Sequence, residues 1–167
     1  MTSQSETTGN AFSPETTGSD AAISPEFTRS DFGDALVGSV ADAVVASDAQ
    51  GRIVLWNAGA ARIFGFSGAE ALGQSLDIII PEQMRARHWA GYDAALASGH
   101  SHYGAGDLLA VPGLHKDGHR FSLEFTITML KGDDGKVRAL IAVLRDVTKK
   151  FEELKALRAQ LSAARQG

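Results

Sequence analysis

A histidine at position 88 is the residue of this chain whose type and setting best fit a chemical role. It lies in the stretch 81–99, PEQMRARHWAGYDAALASG, where a leading proline and a closing glycine indicate the two ends of one helix. At spacings of three and four, the residues that share its helix face are Met84, Gly91, Tyr92 and Ala95. An imidazole on such a face is either a core residue satisfied by a hydrogen bond or a ligand for a metal. The spacing alone leaves both interpretations open.

The remaining histidines form a weaker pattern. His100 and His102 stand two positions apart, and His115 and His119 flank a predicted turn. Imidazole nitrogens are common zinc ligands, but such spacing across a turn is frequent by chance. We interpret these histidines as solvated loop residues, with a zinc site as the alternative.

Composition limits the classes of function. The 167 residues provide one ordinary domain with tails, and the net charge of −4 argues against a nucleic-acid-binding surface. The absence of cysteine excludes disulfides, thiolate metal sites and photochemistry between a thiol and a flavin. No long apolar run or basic amphipathic stretch predicts contact with a membrane, so we expect a cytoplasmic protein. No Gly-x-Ser-x-Gly, phosphate-binding loop, kinase or cyclase motif occurs, and we expect no enzyme activity.

The elements that must position His88 follow from periodicity. Residues 1–30 are a low-complexity tail that we expect to be disordered, and order is expected from Ser30, a plausible helix N-cap. Residues 31–148 are expected to form the domain, and residues 149–167 a linker helix resembling a coiled coil. Several short helices are predicted between 57 and 99. Strands are predicted at 43–47, 52–56, 103–111, 121–129 and 137–144. This order predicts an α+β fold with a five-stranded antiparallel sheet, covered on one face by the short helices.

An apolar seam runs along the predicted terminal helix at steps of three and four residues. It consists of Phe151, Leu154, Leu157 and Leu161. Two heptads are too few for a stable isolated helix, so a partner is implied. The simplest partner is the same helix of a second chain, which predicts a homodimer.

Three segments together resemble a PAS sensor domain of the S-box type. They are ADAVVASDAQGRIVLWNAGAARIFGF at 41–66, HKDGHRFSLEFTI at 115–127 and LIAVLRDVTKKFEE at 140–153. The resemblance implies the PAS fold, a flanking N-terminal helix and a signalling helix after the Asp-x-Thr of 146–148. It also implies an effector such as a histidine kinase or a cyclase, in the same chain or in a separate partner.

The segment PEQMRARH at 81–88 is similar to the helix of the FixL-type haem-binding PAS domains that carries the proximal histidine. The resemblance implies that His88 binds the iron of haem b and that a diatomic gas or the redox state is sensed. SHYGAGD at 101–107 is similar to the strand that closes the distal side. The apolar walls are expected from Leu108, Leu109, Phe125, Ile127, Ile141 and Val143. Candidate partners for the propionates are Arg85, Arg87, His100 and His102, and candidate sixth ligands are Met84 and Met129.

One departure from that pattern concerns the gas. The oxygen sensors of this type use an arginine on the distal strand, but no arginine occurs between Arg87 and Arg120. An apolar distal side favours carbon monoxide or nitric oxide over oxygen, because bound oxygen gains more from a hydrogen-bond donor. The alternative function is a cofactor-free PAS module that dimerises or binds a small apolar ligand.

Overall fold

A computed structural model describes residues 22–100 and 109–164 of the chain. Residues 1–21 of the expected tail therefore lie outside the described residues. His102, Leu108 and most of the strand predicted at 103–111 also lie outside them. Of the predicted terminal helix, the structure describes the backbone to residue 164.

Five antiparallel strands form one sheet with the spatial order β2-β1-β5-β4-β3. Their bounds are β1 Ala43–Asp48, β2 Ile53–Trp56, β3 Leu109–Leu114, β4 Arg120–Lys131 and β5 Val137–Asp146. The turns between β3 and β4 and between β4 and β5 contain Gly118 and Gly135 at φ of 92° and 73°, a conformation that glycine adopts without strain. The predicted α+β sheet is confirmed.

One helix precedes the sheet, several lie between its second and third strands, and one follows its last strand. They are α1 Arg29–Val37, α2 Ala58–Phe64, α3 Gly68–Ala71, a 3-10 helix Leu76–Ile79, α4 Glu82–Ser98 and α5 Thr148–Ala164. The N-cap of α1 is Thr28 and not Ser30, because Thr28 and Asp31 form a reciprocal capping box. Within the described part of the chain, no helix has the length and apolar character needed to cross a membrane.

The core lies between one face of the sheet and the short helices. Phe64 of α2 and Ile53 of β2 are fully buried there, and the ring of Phe64 packs against that of Phe121 with centroids 5.5 Å apart. Because successive side chains of a strand alternate between faces, β4 contributes every second residue, beginning with Phe121 and Leu123. We call this covered side the inner face.

Asn57 ties the first strand to the first helix of the middle segment. Its Oδ1 accepts hydrogen bonds from the backbone N–H of Val44 and of Ala60, both at 2.8 Å. Its Nδ2 donates to the carbonyls of Ser39 and Asp42 at 2.7 and 3.0 Å. Asn57 is thus both the N-cap of α2 and a buried link to β1.

The Asn57→Ala variant is expected to lower the free energy of unfolding by about 2–3 kcal/mol, because it removes a cap and leaves buried backbone groups without partners. Urea denaturation measures this loss. The matched control is Ser67→Ala, which removes the exposed N-cap of α3 and should cost about 1 kcal/mol or less. Equal losses in the two variants would contradict the linking role of Asn57.

Candidate functional site

Helix α4 is held against the β1–β2 hairpin by Tyr92. Its buried hydroxyl donates to the carbonyl of Asp48 at 2.5 Å and lies 2.9 Å from Oγ of Ser47. Gly99 ends the helix in the left-handed conformation at φ 67°, which confirms the predicted exit. The helix therefore has a fixed end and a fixed rotation about its axis.

Trp89 provides a second anchor on the neighbouring turn of α4. Its Nε1 donates to Oδ1 of Asp77 at 2.9 Å, which links α4 to the 3-10 helix. Its ring lies against Gly51, where an added Cβ would be 2.2 Å from the ring. A side chain at position 51 is thus excluded both by this contact and by the positive φ of 71°.

His88 lies beside these anchors, and its buried Nδ1 has no hydrogen-bond partner among the described residues. Its ring centroid is 4.9 Å from that of Trp89 and 5.7 Å from that of Tyr92. Its Nδ1 is buried and makes no hydrogen bond with any described residue. It is the single buried side-chain polar atom of this kind among the described residues. A buried imidazole nitrogen that served only the core would be expected to have a hydrogen-bond partner.

Burial lowers the pKa of His88 below its ordinary value, although the nearby carboxylate of Asp77 opposes this effect. The neutral imidazole is therefore favoured at physiological pH. This is the form that binds metal ions.

The lowered pKa predicts how stability depends on pH. In the unfolded chain His88 binds its proton below about pH 6.5, whereas in the folded protein it does so only at lower pH. The contribution of the neutral His88 to the free energy of unfolding is therefore fully present above about pH 6.5. It is lost as the pH falls from there towards the pKa of His88 in the folded protein. Urea unfolding at pH 7.5 and 5.5 should show a smaller loss on acidification for His88→Leu than for the wild type. An equal loss in both proteins would contradict the assignment.

The structure brings only some of the predicted wall residues together. Phe125 and Ile127 of β4 pair with Leu144 and Ala142 of β5, and all four side chains point to the inner face. Phe125 and Ile127 are half-buried and pack against the edge of the core. They remain candidates for a pocket wall.

Ile141 and Val143 lie on the opposite face of the sheet, which corrects the expectation that they line the same pocket. They pair with Thr128 and Thr126 of β4, and paired residues of an antiparallel ladder point to the same side. The sequence 137–144 is apolar on both faces and could not reveal this orientation.

The inner-face positions of β5 are instead Leu140, Ala142 and Leu144, and Met129 of β4 lies opposite Leu140. Counting outward from the Asp133–Asp134 turn would not have found them, because the pairing of β4 with β5 shifts by one residue between Leu130 and Lys131.

The candidate propionate partners have different settings. The guanidinium of Arg85 donates to the carbonyls of Ile80 and Asp77 at 3.2 and 3.1 Å, which ties α4 to the 3-10 helix. Arg87 is exposed, and His100 is exposed with its Nδ1 2.8 Å from the carbonyl of Ser98. Leu109 begins β3, where its backbone pairs with Phe125.

Two cavities occur away from His88. One of about 280 Å³ lies between β3, β4 and the start of α5, and its apolar lining includes Val111, Leu123, Phe151 and Leu154. The other, of about 400 Å³, lies between the end of α4 and the β4–β5 turn.

Comparison with protein families matches residues 37–150 to a family model described as the PAS fold. Among curated proteins, the sensor protein FixL of Bradyrhizobium diazoefficiens is 33% identical over 90 residues, which is 53% of this chain and 17% of that protein. The chain spans about one sixth of the length of the curated relatives it matches.

Solved structures share the fold. The PAS domain of a protein from Colwellia psychrerythraea superimposes with a TM-score of 0.61 at 25% identity, over 72% of this chain and 97% of that one. An RNA-binding light-oxygen-voltage receptor superimposes with a TM-score of 0.64 at 21% identity, over 87% of this chain and 41% of that one. The second likeness is one of fold alone.

Proposed function

The chain belongs to the PAS family and is a sensory domain, and we propose that it binds haem b through His88 and reports the state of this site through α5. The observation that carries the proposal is the buried, unpartnered Nδ1 of His88. The 33% identity to the sensor protein FixL supports it. This chain spans only 17% of that relative, so the likeness does not identify an effector. We include in the proposal an effector such as a histidine kinase or a cyclase, in the same chain or in trans.

The residues around His88 fit the requirements of a haem ligand. Burial favours the neutral imidazole, its ring packs against those of Trp89 and Tyr92, and its Nδ1 has no competing partner among the described residues. When bound, haem supplies an iron atom that takes a diatomic gas or changes oxidation state. Phe125, Ile127 and Met129 provide half-buried apolar surface on the inner face for a flat apolar ligand.

The cationic partner of a haem carboxylate is assigned to Arg87 rather than Arg85. The guanidinium of Arg85 already donates to two carbonyls that hold α4 in place. Arg87 is exposed on the same helix and makes no ion pair with a described residue, so its donors are available.

A short path of hydrogen bonds connects the inner face to the signalling helix. Asp146 accepts hydrogen bonds from the backbone and side chain of Thr148 at the start of α5. The Oγ1 of Thr148 in turn accepts from the backbone N–H of Ser122 in β4 at 2.9 Å, and Val147 donates to the Ser122 carbonyl at 2.9 Å. Ser122 is three residues from Phe125. A ligand that contacts Phe125 and shifts β4 would therefore move the hydrogen-bond partners that hold the first residues of α5.

The apolar seam of α5 is the surface through which two copies associate in this proposal. Its side chains, Phe151, Leu154, Leu157 and Leu161, are 45% to 63% exposed. Helix α1 likewise buries none of its residues. Two helices with exposed apolar side chains on one molecule favour a second copy as the partner.

Titration of the purified protein with haemin, followed by absorption spectroscopy, tests the proposal. We expect a sharp Soret band that saturates at one haem per chain. A broad spectrum identical to that of free haemin would contradict haem binding.

The second candidate function is a cofactor-free PAS module for dimerisation or for a small apolar ligand. The exposed seam and the apolar cavity beside Phe151 favour it. A dimer that binds no haem, but whose Tm rises with a small apolar compound, would support this function over the first.

A further inference from the structure

Three potential metal ligands converge at the turn between β3 and β4. The ligand atoms of His115, Asp117 and His119 all lie within 4.8 Å of one another. The Nδ1 atoms of His115 and His119 are 2.9 and 2.5 Å from the same atom, Oδ1 of Asp117. The two imidazole rings stack at a centroid distance of 4.5 Å and an angle of 25°. The sequence spacing suggested His115 and His119 as possible metal ligands, but it did not indicate that both approach Asp117.

The turn is held in this shape by the rest of the domain. The ring of His115 lies against Gly65, where an added Cβ would be 2.5 Å from its Nε2. The backbone N–H of Lys116 donates to the carbonyl of Phe64 at 2.9 Å, and its amino group pairs with Glu70. The positive charge of Lys116 is thus neutralised by a partner outside the cluster.

The Nδ1 of His115 has two conflicting hydrogen-bond requirements. The backbone N–H of Asp117 donates to Nδ1 of His115 at 3.3 Å, which requires an unprotonated nitrogen. The same nitrogen is 2.9 Å from a carboxylate oxygen, which requires a proton between them. A cation between the carboxylate and the two nitrogens takes the place of a shared proton, because all three atoms can then act as electron-pair donors. Only the long 3.3 Å hydrogen bond from the Asp117 N–H to Nδ1 of His115 would be given up.

We propose that His115, Asp117 and His119 bind a divalent transition-metal ion of the zinc class at the β3–β4 turn. Two imidazoles and one carboxylate form a borderline donor set that suits Zn²⁺ better than Mg²⁺ or Ca²⁺. Tetrahedral Zn²⁺ requires ligand atoms about 3.3 Å apart, so the two nitrogen–oxygen separations of 2.9 and 2.5 Å need only a small opening. The remaining coordination position is open to water, since Asp117 and His119 are exposed.

Metal binding at this place would clamp the hairpin to the helical middle of the domain. His115 is the ligand that touches Gly65 at the end of α2, and its neighbour Lys116 contacts α3 through Glu70. The site contains none of the residues assigned to haem. It is therefore an independent input to the same sheet.

Isothermal titration calorimetry with Zn²⁺ tests the proposal on the tag-free protein after chelator treatment. We expect one Zn²⁺ per chain, with a dissociation constant raised at least about ten-fold in Asp117→Asn and in His119→Gln. Both variants keep a polar side chain in the turn, and their Tm in chelator should equal that of the wild type. His100→Gln and His88→Leu are the controls and should bind Zn²⁺ as the wild type does.

NMR of the imidazole nitrogens provides a second readout that does not depend on the variants. Addition of one equivalent of Zn²⁺ should shift the signals of His115 and His119 and leave that of His100 unchanged. Absence of stoichiometric binding would overturn the proposal. Binding that persists unchanged in both Asp117→Asn and His119→Gln, or that is lost in His88→Leu, would also overturn it.

Discussion

The His88→Ala variant is expected to bind haem at least about one hundred-fold more weakly than the wild type, which corresponds to about 2.8 kcal/mol. The physical reason is that the variant loses the imidazole whose buried Nδ1 has no hydrogen-bond partner among the described residues. The remaining apolar surface at Phe125 and Ile127 can still attract a porphyrin, but it offers no nitrogen to the iron. Haemin titration followed at the Soret band measures the difference.

The matched control is His119→Ala, which removes an exposed histidine that is not assigned to the haem site. It should leave the haem affinity unchanged. His88→Gln guards against a folding artefact, because it keeps most of the side-chain volume while removing the imidazole. Unchanged affinity in both His88 variants, with native-like far-UV circular dichroism, would remove the basis of the haem proposal.

The Leu154→Glu/Leu161→Glu double variant is expected to convert the protein from a dimer to a monomer, with a dimer dissociation constant at least about one hundred-fold higher. Both leucines belong to the seam of α5, and neither contributes to the buried core of the monomer. Two carboxylates in an apolar helix interface would have to be buried without partners or keep the helices apart. Sedimentation velocity over a range of protein concentrations measures the change.

The control for charge is Ala159→Glu, a position on the opposite face of the same helix. It should leave the dimer intact. A wild-type protein that stays monomeric at millimolar concentration would contradict the role of the seam. Dissociation by Ala159→Glu to the same extent as by the double variant would do so as well.

The periodic and turn-forming parts of the chain could be predicted from the sequence. The clean alternation that begins at Phe121 predicted β4 and its inner face. Gly118 and Gly135 lie at the turn positions where the backbone needs a positive φ. The same holds for α4, whose end at Gly99 follows from the left-handed conformation of that residue. These features are local, and local sequence determines them.

The non-local features could not be read from the sequence. Val143 and Ile141 are apolar because they lie in a central strand, and only the pairing with β4 shows that they face away from Phe125. Likewise, Arg85 has the charge expected of a propionate partner, but its donors are used by two backbone carbonyls. The cluster at Asp117 depends on how the turn folds back, which spacing alone does not specify.

Resonance Raman spectroscopy of the ferrous protein tests the central claim most directly, because the iron–histidine stretching band reports the bond to the proximal imidazole. The wild type should show this band, and His88→Gly should lack it, since that variant removes the imidazole and leaves a space of its size. Added imidazole should restore the band in His88→Gly by occupying this space. An iron–histidine band that persists in His88→Gly without added imidazole would contradict the assignment of His88 as the haem ligand.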